Sequence, residues 1–160
     1  MQKRGINVAL NRDSDYALSD DNKWSKSGRH KRDLAQRTEL PSILQSKALI
    51  SLHVNWSKNA RQHGPLVLQQ ANPSSELLAN LIQQQLNRYY ETRFLTRHVK
   101  HLFLLNRSAS PTVIVEMGFI SNASDRSKLT TAKSQQMIAQ SIAKAIEQYL
   151  NVLPHLKTID

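Results

Sequence analysis

Two ionisable residues stand where apolar runs end. His53 closes Ala48-Leu49-Ile50-Ser51-Leu52-His53, and Glu116 closes Thr112-Val113-Ile114-Val115-Glu116. Each follows positions that belong in a core, where a polar side chain is costly without a partner. In open α/β sheets, ligands bind outside the carboxyl ends of the strands. A histidine and a glutamate at adjacent strand ends have the chemistry to bind a metal and to move a proton. Plainer roles fit the same pattern: His53 as a hydrogen-bonded residue on the rim of a sheet, Glu116 as a carboxylate that pairs with a lysine or caps a loop.

The elements that must position these residues follow from periodicity. Residues 6–10, Ile-Asn-Val-Ala-Leu, alternate as a strand does. Residues 11–31 are polar and form an expected loop, long enough to be functional. Residues 33–47 suit a helix broken or kinked at Pro41. Residues 48–54 are an apolar run typical of a buried strand, 55–63 are polar, and 65–69 suit another strand. Asn72-Pro73-Ser74 opens a helix with Glu76 near its positive end. Leu77, Leu78, Leu81, Ile82, Leu86 and Tyr89 share one face of it. Two further apolar runs lie at 102–105 and 112–115, and Gly118 marks a sharp exit from the second. Ile138, Ile142, Ile146 and Leu150 recur every four residues in a last helix over 132–150, which Pro154 is expected to end. Strands alternating with helices imply one α/β domain over 5–151, a mixed twisted sheet with helices on both faces, followed by a tail over 152–160.

Composition narrows the function. The chain has 160 residues, no cysteine, and 22 Lys+Arg against 12 Asp+Glu, for a net charge of +10. Without cysteine there are no disulfide scaffolds, thiolate zinc fingers or cysteine nucleophiles. No apolar run approaches the roughly 18 residues of a membrane span. The positive charge suits nucleic acid, anionic membranes or anionic wall polymers. Its scatter argues against nucleic acid: aromatics are 6% of the chain and none are interleaved with basic residues as a base-stacking surface requires. Helix-turn-helix, RNA-recognition and zinc-finger spacings are absent. No signal-peptide core precedes residue 6, so no export signal is visible.

Around His53 and Glu116 the sequence resembles the zinc-dependent N-acetylmuramoyl-L-alanine amidase family. Ile50-Ser51-Leu52-His53-Val54-Asn55 is similar to the family's metal-ligand strand, an apolar run followed by Ser-x-His-x-Asn. Residues 111–122, Pro-Thr-Val-Ile-Val-Glu-Met-Gly-Phe-Ile-Ser-Asn, match its catalytic strand, Pro-x-Val-x-Val-Glu-x-Gly-Phe-x-Ser-Asn. Val8-Ala9-Leu10-Asn11-Arg12-Asp13-Ser14-Asp15 and Asp33-Leu34-Ala35-Gln36-Arg37 resemble two upstream segments, and the likeness runs in order over residues 5–150. The resemblance implies His53 as a ligand of Zn2+, Glu116 as the catalytic carboxylate, and cleavage of the amide between N-acetylmuramic acid and L-alanine in peptidoglycan. It implies peptidoglycan and anionic wall polymers as partners, and an extracytoplasmic location. Asn55 and Ser121 suit either substrate positioning or turns. An inserted inhibitory helix between His53 and Glu116 is lacking, as in sporulation and germination amidases.

One departure accompanies this match. The family carries a His-Gly-Gly strand and a later Glu that supply two further zinc ligands, and this chain begins after both, so its first strand is expected to be missing. Catalytic zinc ordinarily has three protein ligands. Three readings follow: a truncated form of a complete enzyme; a site rebuilt from His30, His63, His98 or His101; or a catalytically degenerate peptidoglycan-binding or regulatory domain. The family's arginine before the catalytic strand has Asn106 as its equivalent, beside Arg107.

Overall fold

The computed structural model describes residues 1–2, 5–11, 14 and 28–156. Its elements run α1 (Arg29–Ile43), β1 (Leu49–Asn55), β2 (Leu66–Gln69), α2 (Pro73–Tyr90), β3 (Arg97–His98), α3 (Phe103–Arg107), β4 (Thr112–Phe119), α4 (Ala123–Thr130) and α5 (Ala132–Leu156). The four strands form one mixed sheet in the order β1-β4-β2-β3. β1 runs parallel to β4, β2 antiparallel to β4, and β3 parallel to β2. The expected α/β sheet with helices on both faces is therefore present.

Alternation along β4 divides the core. Val113 and Val115 point to one side, where Leu78, Ile82 and Leu86 of α2 and Ile138, Ile142 and Ile146 of α5 close over them. Ile114 points to the other side and packs with Leu104 and Leu105 of α3. The four-residue spacing read in α2 and α5 is the spacing of one helical face, and these two helices pack against each other across the buried side of the sheet. Asn72 begins α2 because its side-chain oxygen accepts the Ser75 N–H at 2.8 Å, and Pro73 sits in the first turn, where its missing N–H costs nothing.

Several expectations are corrected. Residues 6–10 form no strand; Leu10 is 75% exposed, and among the described residues no neighbouring ladder lies beside them for the alternation to join. The loop expected over 11–31 falls mostly outside the described residues. α1 starts and stops about four residues earlier than expected and contains Pro41, near a C-terminal end where one lost hydrogen bond is tolerated. β1 is not a buried strand but, among the described residues, the edge of the sheet, with Leu52 55% and Val54 45% exposed. β4 continues through Gly118 to Phe119 instead of leaving at the glycine. α5 likewise continues past Pro154 to Leu156. β3 and α4 were not anticipated: a two-residue strand has no period, and α4 is polar along most of its length.

The ends of β1 and β4 are held by a clamp. Asp125, 1% exposed in the first turn of α4, accepts the Gly64 N–H at 2.7 Å and the Phe119 N–H at 2.8 Å on one carboxylate oxygen. Asn122 caps α4 through the Ser124 and Asp125 amides and donates its side-chain N–H to the Ala60 carbonyl at 2.8 Å. Ser57 N–H donates to Ser121 Oγ at 3.1 Å, and Ile120 N–H to the Asn55 carbonyl at 2.9 Å. The loop after β1 is thereby tied to the turn after β4. Gly118 has φ +150°, and a Cβ there would come within 3.2 Å of the Asp125 carboxylate, so glycine lets the strand run against the clamp.

Asp125→Ala would leave two buried N–H groups unpaired, and a loss of roughly 2–4 kcal/mol is expected. Urea unfolding measures it, and an unchanged midpoint would show that the carboxylate does not hold the two segments. Asn72→Ala should cost about 1 kcal/mol through the lost helix cap alone, read in the same experiment.

Candidate functional site

His53 lies two residues from the end of β1, and Glu116 lies five residues into β4. The parallel register places them opposite each other, as Cα partners. Alternation then sends both to the α3 side of the sheet, because Leu49 and Ile114, an even number of residues before them, pack in the α3 cluster. Glu116 reaches the rim even though β4 runs on beyond it, since β2 begins at Leu66, the residue paired with Glu116 on its other side. Past this point the β1–β4 register slips, so that Asn55 pairs with Phe119. Such irregularities bend a strand and re-aim its side chains. The two expected site residues thus come together by backbone pairing alone.

Their surroundings differ. His53 is exposed, and its Nε2 lies 2.9 Å from Ser51 Oγ. Packing around the ring, and then the positive charge of Arg37 on α1, press its pKa below the ordinary imidazole value, which favours a neutral ring. Arg37 is itself held by Asp33 one turn earlier, Nε to Oδ2 at 2.8 Å. Glu116 is half-buried. Its Oε2 is shielded from solvent with no hydrogen-bond partner among the described residues, and burial raises the carboxyl above its usual range. A carboxylate in that state takes up a proton more readily than an exposed one.

The remaining candidates stand elsewhere. His63 packs edge-on against Phe94 with ring centroids 6.0 Å apart, His98 sits on β3, and the side chain of His30 lies outside the described residues. Among the described residues no three His, Cys, Asp or Glu side chains gather as a metal site would require. These residues therefore fit one ligand position and the carboxylate beside it, not a full zinc ligand set. Asn55 accepts the Trp56 N–H at 2.8 Å on its own side chain, and Ser121 accepts Ser57, so both serve the turns. Asn106 is occupied with the Lys100 carbonyl. A groove of about 650 Å³ opens between α1 and α3, but neither His53 nor Glu116 lines it.

Sequence reasoning missed Asp125 and Gly64, whose hydrogen bond ties the loop after β1 to the end of β4. Asn122 followed by Asp125 is a helix-start signal that would have found α4. The partner of Asp125 at Gly64, 61 residues away, had no local signal.

Comparison with known proteins places this geometry. A family model described as N-acetylmuramoyl-L-alanine amidase matches residues 1–148. The germination-specific N-acetylmuramoyl-L-alanine amidase of Bacillus subtilis is 29% identical over 151 residues, covering 93% of this chain. The chain spans 64% of that relative's length. Among solved structures, the CwlD amidase from Clostridioides difficile, determined in complex with the GerS lipoprotein, superposes with a TM-score of 0.85 at 26% identity over 94% of this chain and 79% of its own. The catalytic domain of the amidase CwlV from Bacillus (Paenibacillus) polymyxa gives 0.68 at 27% identity over 74% of this chain and 66% of its own. With the family model spanning nearly the whole chain, and His53 and Glu116 paired on its sheet, the chain belongs to the N-acetylmuramoyl-L-alanine amidase family.

Proposed function

We propose that this chain acts in a peptidoglycan hydrolase that cleaves the amide between N-acetylmuramic acid and L-alanine. The observation that carries the reading is the His53–Glu116 pair, opposite in register at the sheet rim with one Glu116 oxygen buried and unpartnered among the described residues. Glu116 is the group that handles protons. Its carboxylate takes a proton from the attacking water as the new C–O bond forms at the amide carbonyl. The same proton passes to the alanine nitrogen as the C–N bond breaks, because an amine leaves far more easily than its anion. Water and amide become a carboxylic acid and a free L-alanine amino terminus.

His53 would hold Zn2+ at one ligand position; no full ligand set gathers among the described residues. Its exposure and its tendency to stay neutral suit that role. Zinc, when bound, supplies a lowered pKa for water and a polarised carbonyl. The net charge of +10 favours anionic wall polymers around the substrate, and the site of action is extracytoplasmic. No helix among the described residues is long and apolar enough to cross a membrane.

Glu116→Gln keeps the shape of the side chain and removes its basicity. Release of free amino termini from purified peptidoglycan by the intact protein should fall about 100-fold or more, with zinc content unchanged. Retained turnover would remove Glu116 from the chemistry. Binding to peptidoglycan without any release, in the wild type as well, would establish the degenerate binding domain instead. Zinc stoichiometry beside His53→Ala checks the ligand: zinc held specifically by the wild type should be lost in the variant, and zinc retained there would remove His53 from the ligand set.

A further inference from the structure

The chain leaves α2 at Glu91, whose left-handed φ of +56° turns it back along the helix. Asn87 pins the returning segment. Its side chain accepts the Thr92 hydroxyl at 2.8 Å and a Gln83 N–H at 3.0 Å, and donates to the Phe94 carbonyl at 2.8 Å. The Thr96 hydroxyl adds a bond to Asn80 at 2.9 Å. Between residues 92–96, so fixed, and α2 lies a groove of about 330 Å³, with Gln84, Arg88, Arg93 and Phe94 among the side chains that line it. A surface held in one shape by its own hydrogen bonds loses little entropy when it binds.

The polar groups of this groove are unused. Gln84, Arg88 and Arg93 are exposed, and their side chains make no hydrogen bond or ion pair among the described residues. Phe94 is 41% exposed even though its ring packs on Gly64, where a Cβ would fall 2.6 Å from it, and edge-on against His63. An apolar ring face beside an amide and two guanidinium forks suits an acidic sugar. The C–H face of a pyranose lies on the ring, the amide takes a hydroxyl or acetamido group, and a guanidinium takes a carboxylate. Residues 88–100 carry Arg88, Arg93, Arg97 and Lys100 against Glu91 alone, so the surrounding charge also favours an anion.

The proposed hydrolysis makes such a ligand. Each cleavage turns an amide on N-acetylmuramic acid into a carboxylate that stays on the glycan strand. Phe94 packs on Gly64, two residues before Leu66, and Leu66 pairs with Glu116, so this ring stands at the same end of the sheet as the His53–Glu116 pair. We infer that the groove between α2 and residues 92–96 binds the glycan strand after its peptides are released, with Phe94 against a sugar ring and Arg88 and Arg93 on the freed carboxylates. The choice of this glycan rests on the proposed hydrolysis; the fit to an acidic saccharide does not.

Calorimetric titration of the full 160-residue chain tests this without any turnover. The probes are peptide-free glycan strands of alternating N-acetylglucosamine and N-acetylmuramic acid, chitin oligosaccharides, which share the sugar backbone without the carboxylate, and poly(glycerol phosphate), which has charge without a sugar ring. The peptide-free glycan should bind about 10-fold or more tightly than either control. Arg88→Gln and Arg93→Gln, at exposed positions, and Phe94→Ala should each weaken it about 10-fold. The arginine variants decide the matter if Phe94→Ala does not fold. Chitin oligosaccharides bound as tightly as the glycan would overturn the carboxylate contact. Poly(glycerol phosphate) bound as tightly, with Phe94→Ala without effect, would leave only attraction between a cation and a polyanion, and so would overturn the sugar site. Glycan binding that the arginine variants lose, in a protein that releases no amino termini from peptidoglycan, upholds the groove and refutes the hydrolase reading alone.

Discussion

A strand with neighbours on both edges and helices over both faces has almost nowhere to place a charge, and β4 is such a strand. Thr112 through Val115 are buried in succession, Val113 and Val115 under α2 and α5, Ile114 under α3. Its carboxylate, Glu116, comes where β2 begins and cover thins. Pairing with β1 sets His53 beside it, and pairing with β2 sets Leu66 on the other side. The cost of burying this carboxylate is what keeps its rim position and raises its proton affinity together.

The clamp of Asp125 and Asn122 joins the loop after β1 to the turn after β4, two segments far apart in sequence. Loop closure of that kind costs entropy that only several well-made hydrogen bonds recover. β1 by contrast is an edge among the described residues, with Leu52, Val54 and the following Trp56 exposed. His53 on that strand is exposed.

The charge pattern fits the same picture. The chain carries an excess of basic residues, while the pair at the rim joins an imidazole whose pKa lies below its ordinary value to a carboxyl whose pKa lies above its own. The Arg37–Asp33 pair on α1 brings a positive charge close to the imidazole.

Much of this was legible in the residues themselves. Hydrophobic period located α2 and α5, because each buries one continuous stripe, and the apolar runs before His53 and Glu116 located β1 and β4. The twelve residues from Pro111 to Asn122 identified the family. Local pattern could not say that 6–10 would lack a strand partner, that β1 would be an edge, or that 102–105 would be helical, since pairing and burial are decided by neighbours distant in the chain. Nor could it show that Ser51 bonds His53, or that Asp125 reaches Gly64. The sequence by itself determined which side chains could do chemistry. The tertiary structure decided their juxtaposition, because register between strands and the closure of loops are set by contacts that no local stretch contains.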